Sequence, residues 1–229
     1  MIKVKYEYCG KTFELEPYNT AKEKDILLLA MIATPTLDAT LEICGVDNDT
    51  IKTLSEYEKV SMLYKFRTIS VGDDLNLKFT CKHCKTGSDN MVNIGNIIEE
   101  STITDDRIID RFKKLTEENF NEFVNIDVNE LEVDEYEELF EETKRSITKF
   151  NFIKPIICQK CSKENFISIA NPEFVMDNLS EDTIMSLYQT YNDLIYFGKY
   201  TKQDIDTLLP FERTILISLL NKTREDLNK

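Results

Sequence analysis

Two Cys-x-x-Cys pairs, Cys81-Lys82-His83-Cys84 and Cys158-Gln159-Lys160-Cys161, form the strongest reactive motif in this chain. In each turn two thiolates can point at one centre, and two such turns complete a four-sulfur tetrahedral shell. Four thiolates leave no coordination position open to water, so the chemistry is structural rather than catalytic. Cys81, Cys84, Cys158 and Cys161 are therefore expected to hold one structural zinc ion. Two independent redox pairs are the first alternative, but a redox motif is expected at a helix start in a βαβ setting, and neither pair has one. A ribbon that has lost its metal is the second, and the presence of all four cysteines speaks against it. His83 could replace a sulfur, but its place inside the knuckle favours an exposed side chain. Cys9 and Cys44 are left over as buried or half-buried free thiols.

Other chemistry finds little support. His83 is the single histidine, which excludes a His-rich catalytic metal site and disfavours a Ser–His or Cys–His nucleophile pair. The six glycines are isolated, so no loop is built to cradle phosphate. Acid pairs such as Glu137/Glu138 and Asp105/Asp106 are expected on solvated helix faces. We read the chain as a non-enzyme. Arg213, between Glu212 and Thr214, either pairs with an acid across the packing or is an ordinary surface arginine.

Asp74 to Thr80 alternates apolar and polar residues into the first pair, and Met91 to Ile94 leads away from it. Phe150 to Ile153 with Ile156-Ile157 enters the second pair, and Phe166 to Ile169 leaves it. Each pair is thus expected at the tip of a β-hairpin, as in a zinc ribbon. Before it, residues 2–16 read as a hairpin with Ile2, Val4, Tyr6 and Tyr8 on one face. Thr20 to Glu23 has the spacing of a capping box, and the apolar run Ile26 to Ala33 behind it predicts a helix deeply buried or lying in a protein interface. Thr36 to Cys44 reads as a short helix closed by Gly45. Ser55 to Glu58 is a second capping box, opening a helix to about Ser70. After the ribbon, Ser180-Glu181-Asp182 is expected to open a helix with Ile184, Leu187, Tyr188, Tyr191, Leu194 and Ile195 as its stripe and Gly198 at its C′ position. A short helix follows Thr201. Pro210 suits the first turn of the last helix, with Phe211, Ile215, Leu216, Leu219 and Leu220 as its expected buried face.

Charge divides the chain unevenly. The 229 residues carry a net charge of −14, and Glu99 to Glu142 alone holds 17 acids and 4 bases. The remaining 25 acids and 24 bases nearly balance. The acidity therefore belongs to a segment inserted between the cysteine pairs, which lie 73 residues apart. That segment keeps Phe120, Phe123, Leu131, Tyr136, Leu139 and Phe140, anchors that a disordered acidic tract lacks. A folded helical excursion is expected, including a helix from Asp105 to Leu115; a segment that orders only against a partner is the alternative. With no basic cluster in the ribbon flanks, nucleic acid is not the expected partner. No signal-peptide pattern opens the sequence, and the longest apolar run is eight residues, far short of the roughly 20 that span a bilayer. Reduced thiols and a metal are expected rather than disulfides.

The fold class expected from these elements is α+β. An N-terminal hairpin with helices occupies 1–72, a zinc ribbon of two hairpins 73–98 and 146–172, an acidic and largely helical insert 99–145, and C-terminal helices 173–229.

Several stretches, in order, resemble the baseplate hub subunit and hub-assembly family of T-even-type contractile-tailed bacteriophages. They are Tyr57-Glu58-Lys59, then Leu63 through Asp73, then Leu77-Lys78-Phe79-Thr80-Cys81-Lys82-His83-Cys84. Tyr191 to Tyr196, Asp204-Ile205-Asp206 and Leu209-Pro210-Phe211-Glu212-Arg213-Thr214-Ile215 are similar to that family's ending. The resemblance spans about 20–98 and 150–222 and nothing in 99–145. It implies a structural or assembly protein without an active site, in contact with hub and tape-measure proteins. It places the chain in the host cytoplasm during assembly or in the virion tail baseplate, and leaves self-association open. The alternative is a zinc-ribbon nucleic-acid-binding or transcription-associated module.

Overall fold

The computed structural model describes residues 3–8, 11–32, 35–95, 115–151, 156–165 and 172–227. Strands β1 (Val4–Tyr8) and β2 (Lys11–Leu15) pair antiparallel from Val4↔Leu15 to Tyr8↔Lys11. The two-residue alternation turns Tyr6, Tyr8 and Leu15 into the core, as expected of a strand with one wet face. Helix α1 (Thr20–Ile32) is followed by α2 (Leu37–Cys44), capped by Thr36 and closed by Gly45 at φ 103°. Helix α3 (Asn48–Lys52), capped by Asp47, was not anticipated because it is barely one turn long. Helix α4 (Glu56–Ser70) starts with the expected Ser55/Glu58 capping box. Val60, Met62, Leu63, Tyr64 and Phe66 are all buried, so α4 is enclosed around most of its circumference. It packs against α2 and β1.

Helix α1 departs from expectation. Its cap is Asn19, whose Oδ1 accepts from the Lys22 N–H, and Glu23 makes no capping box. Of its apolar run only Ile26 is fully buried, while Met31 and Ile32 stand in solvent. Glu23 is buried instead, for a reason given by the far end of the chain.

Strands β3 (Asp74–Thr80) and β4 (Gly87–Asn93) form the first ribbon hairpin. The acidic segment that follows contains two 3₁₀ turns, Glu117–Glu122 and Val128–Glu130, and helix α5 (Val133–Asn151). Phe120 meets Tyr136 and Phe140 edge-on, with ring centroids 5.1 and 5.2 Å away. Phe120, Phe123, Val124 and Leu139 belong to the same apolar cluster as the N-terminal half. The acids point outward, so this part of the insert is folded with a solvated acidic face. Phe150 and Asn151 were expected to be strand, but α5 runs through them. Neither glycine nor proline interrupts the sequence from Val133 until Pro155, so nothing breaks the helix earlier. The second hairpin is correspondingly short, β5 (Ile156–Ile157) against β6 (Glu164–Asn165). The expected helix at 105–115, apart from Leu115, the strand residues Phe152 and Ile153, the whole strand at 166–169, and Ile2 and Cys9 lie outside the described residues.

Helix α6 (Pro172–Asp177) was not anticipated; it packs on α4. Helix α7 (Ile184–Tyr196) begins later than expected, at a Thr183/Ser186 capping box. Residues 178–182 are not helical because buried side chains hold them. The Tyr18 hydroxyl donates to the Leu179 carbonyl, and the Ser180 hydroxyl donates to Glu23 Oε1 at 2.6 Å. Arg67, fully buried, donates to the carbonyls of Asn178, Gly72 and Asp74 and to Glu181. Gly198 does not supply a left-handed turn; Lys199 does, at φ 61°. Gly198 is required by space, since a Cβ there would lie 2.7 Å from the Leu194 carbonyl oxygen.

Helix α8 (Lys202–Thr207) follows the Thr201/Asp204 cap, and α9 (Pro210–Leu227) closes the described chain. The expected buried face of α9 holds for Leu216, which packs on the α7 cluster, and is out of phase for three of its other members. Pro210 and Arg213 are buried, whereas Phe211, Ile215 and Leu219 are exposed. Arg213 sets the rotation: its guanidinium reaches Glu23 on α1 and, at 2.5 Å, Asp182 before α7. The helix turns so that 213, 216, 217 and 220 face inward, and the apolar stripe is left outside.

Two predictions follow from these buried groups. Removing one partner of a buried ion pair strands the other charge, so Arg213→Ala is expected to lose about 3–5 kcal/mol of unfolding free energy in chemical denaturation; a loss of a few tenths would contradict the packing role. Burial raises the Cys44 thiol to about 12 and pushes the Tyr18 and Tyr64 hydroxyls well above their usual value. Folding favours the neutral form of each, so their contribution is complete below about pH 9 and lost as pH rises toward about 12. Stability should fall across that window, with a shallower slope in Cys44→Ala; a flat alkaline profile would contradict it.

Candidate metal centre

The two knuckles are built alike. Loop 81–86 bridges the end of β3 to β4, and loop 158–163 bridges β5 to β6. In the first, the Cys81 N–H donates to Thr86 O at 3.0 Å and the Lys85 N–H to Cys81 O at 3.0 Å. In the second, the Cys158 N–H donates to Lys163 O at 2.9 Å and the Ser162 N–H to Cys158 O at 2.8 Å. Lys85 and Ser162, each one residue past the second cysteine, share a left-handed φ of 57°. Two non-glycine residues held in this uncommon region at equivalent positions mark one geometry used twice. It aims both thiols of each pair the same way.

The pairs face each other. The four sulfurs of Cys81, Cys84, Cys158 and Cys161 lie within 4.8 Å of one another. Cys81 is 3.6 Å from Cys161, and Cys84 is 3.7 Å from Cys158. A disulfide needs sulfurs about 2.05 Å apart, so these cysteines are free. A tetrahedral shell with metal–sulfur bonds of about 2.3 Å has sulfur–sulfur edges of about 3.8 Å. The residues therefore fit a four-thiolate metal site. Among the described residues this is the one group of cysteine, histidine and carboxylate ligands with such spacing.

Neighbouring donors tune the sulfurs. The Cys81 thiol is lowered to about 5, chiefly by the Cys84 backbone N–H, with His83 N–H and the Asn165 amide adding to it. The His83 N–H lies 3.4 Å from Cys81 Sγ and Asn165 Nδ2 3.5 Å. Asn165 also accepts from the Lys82 N–H at 2.9 Å, tying the second hairpin to the first knuckle. At Cys161 the Lys163 N–H lowers the pKa, but burial and the other three sulfurs together raise it to about 11. The Cys84 thiol is lowered as well, chiefly by the Thr86 N–H, so Cys81 and Cys84 favour the thiolate while Cys161 resists it, as expected of four sulfurs crowded around a point that a cation would neutralise.

His83 is exposed, and its Nε2 lies 3.1 Å from Glu164 O, so it stays outside the sulfur cluster. Cys44 is buried between the hairpin and helices, away from the centre. Folding also reveals what linear reading missed. Lys82, Lys85, Lys160 and Lys163 are far apart in sequence, yet all are exposed on the two facing knuckles. Lys160 reaches across to Thr86 Oγ1 at 3.1 Å. A dication held by four thiolates would carry two negative charges, and these lysines lie on the same two knuckles. Arg213 takes the first of its two expected readings, pairing with acids across the packing, while Arg67 went unremarked, since an arginine in a helical pattern gives no sign in sequence that it will be buried.

Comparison with protein families finds two matches in this one chain. Residues 1–101 match the family of T4 bacteriophage base plate proteins, and residues 179–225 match the C-terminal domain of the baseplate hub assembly protein Gp51. No match was found among curated proteins or solved structures. The matches cover the resembling stretches of both halves and omit 102–178, so the second knuckle and most of the acidic segment lie outside them.

Proposed function

We propose a role in building the central hub of a phage tail baseplate, from the match of residues 1–101 to the T4 bacteriophage base plate proteins and of residues 179–225 to the C-terminal domain of a baseplate hub assembly protein. It acts by protein–protein contact with hub and tape-measure proteins. The observation that carries this reading is the pairing of both family regions in one chain. Arg213–Glu23, Arg67–Glu181, Tyr18–Leu179 and Ser180–Glu23 join them directly. Among the described residues no helix is long and apolar enough to cross a membrane, and exposed apolar surface is plentiful on α7 and α9.

Zinc, held by Cys81, Cys84, Cys158 and Cys161, has a structural part in this reading. The sulfur spacing supports it. The ion ties a hairpin before the acidic segment to one after it, so the segment leaves and rejoins the fold at a fixed base. A second reading, binding of nucleic acid at the lysine-rich ribbon tip, has the four knuckle lysines in its favour and the net charge of −14 against it. Salt-dependent retardation of DNA or RNA in a gel would support that reading instead.

Deleting the gene from its phage should leave tails without a completed hub, restored by supplying the chain in trans; normal tails without it would overturn the hub role. For the metal, elemental analysis should find one zinc per chain. The Cys81→Ser, Cys158→Ser double variant should lose both zinc and thermal stability, because metal binding in such sites is coupled to folding. A variant that keeps stoichiometric metal and its melting temperature would contradict the site.

A further inference from the structure

The outer face of α7 and α9 carries most of the exposed large apolar side chains among the described residues. The two helices run side by side in the same direction: Arg213 at the start of α9 meets Asp182 before α7, and Arg224 near its end lies 4.0 Å from the ring of Phe197 after α7. Leu187, Tyr191 and Leu194 of α7 turn inward, with Leu216 and Ile217 of α9 packed on them. The opposite sides carry Met185, Tyr188 and Ile195 on α7 and Phe211, Ile215 and Leu219 on α9, between 41% and 75% exposed. With Tyr196 and Phe197, and taking about 200 Å² for each free side chain, roughly 850 Å² of large apolar side chain faces solvent. A monomer's largest apolar patch is about 300–600 Å², whereas one side of a standard interface is about 800 Å².

We propose that this face is a two-fold contact between two copies of the chain. Area is the first argument: the patch supplies one full side of a stable dimer interface. Charge is the second. Residues 183–227 hold 6 acids and 5 bases, so this part escapes the repulsion that the net charge of −14 places on self-association elsewhere. The exposed residues interleaved with the stripe, Gln189, Asn192, Thr214 and Ser218, are neutral. The charged residues that flank the stripe, Glu212 and Lys222, are one of each sign, so the face as a whole carries little net charge. Spacing is the third. Met185, Tyr188, Asn192 and Ile195 recur at 3-4-3 intervals, the seam of a helix that packs against another helix. A single polar Asn at such a seam fixes register and oligomer state at some cost in stability. Two-fold pairing is also the commonest way a surface satisfies itself.

The proposal concerns the isolated chain and does not rest on the hub reading. Sedimentation or light scattering of the purified full chain, at micromolar concentration, should give twice the monomer mass and dissociation on dilution. Ile195→Glu and Ile215→Glu, each placing a charge on the face, should weaken the dimer about tenfold or more. Their melting temperatures, extrapolated to the dissociated state, should match the parent because both side chains are exposed in the single chain. Should either variant fail to fold, Asn192→Arg at the polar seam position serves the same purpose. Val133→Glu, an exposed apolar site on α5, should leave the dimer intact. A monomer at all these concentrations, a dimer that survives the face variants, or equal loss with Val133→Glu would each overturn the proposal.

Discussion

A buried arginine holds the two ends of this fold together. Arg213 is almost fully buried, and its charge is met by Glu23 on α1 and Asp182 before α7. Neither acid is its neighbour in sequence. An isolated buried charge is so costly that the guanidinium can enter only where both carboxylates already wait. The rotation of α9, the placement of α1 beneath it, and the non-helical path of residues 178–182 therefore depend on one another. Arg67 repeats the device on the other side of the same segment, exchanging water for backbone carbonyls of Asn178, Gly72 and Asp74. Such networks add little net stability against an apolar core of equal volume. What they supply here is a unique register between the N-terminal and C-terminal regions.

The cysteine centre closes the chain at a second place. The acidic segment separates two hairpins, and the second has strands of only two residues each. A hairpin that short has little stability of its own. Its position is fixed instead by Asn165 reaching the first knuckle, by Lys160 reaching Thr86, and by four sulfurs converging at one point. The insert is not held by its ends alone, since Phe120 and Leu139 join the apolar cluster of the N-terminal half while its carboxylates stay in solvent.

Much of this was legible in the sequence where local chemistry acts alone. The capping box at Ser55, the Gly45 stop, the Thr201 cap and the strand alternation at 4–8 and 74–80 each need only a few neighbouring residues. The cysteine pairs were legible because their spacing admits few readings. What failed involved distant partners. Thr20 to Glu23 has a capping pattern, but Glu23 is claimed by Arg213. Phe211, Ile215 and Leu219 look like a core stripe, but Arg213 takes the inner face of that helix. Phe150 and Asn151 look like strand, but they continue a helix that nothing interrupts. The lysines around the centre escaped notice because only the facing of two knuckles gathers them.

The fold thus presents three unlike surfaces around one clasped body: an apolar helix face, a lysine-bearing ribbon tip and an acidic excursion. A protein whose work is contact needs such distinct faces, since specificity comes from what each rejects as well as what it binds. Cross-linking mass spectrometry on assembling baseplates tests this account most directly. Lysines of both family regions, such as Lys52 and Lys202, together with those of the ribbon tip, should cross-link to hub or tape-measure subunits. Cross-links confined to host proteins or nucleic-acid complexes, with none to the assembling hub, would contradict it.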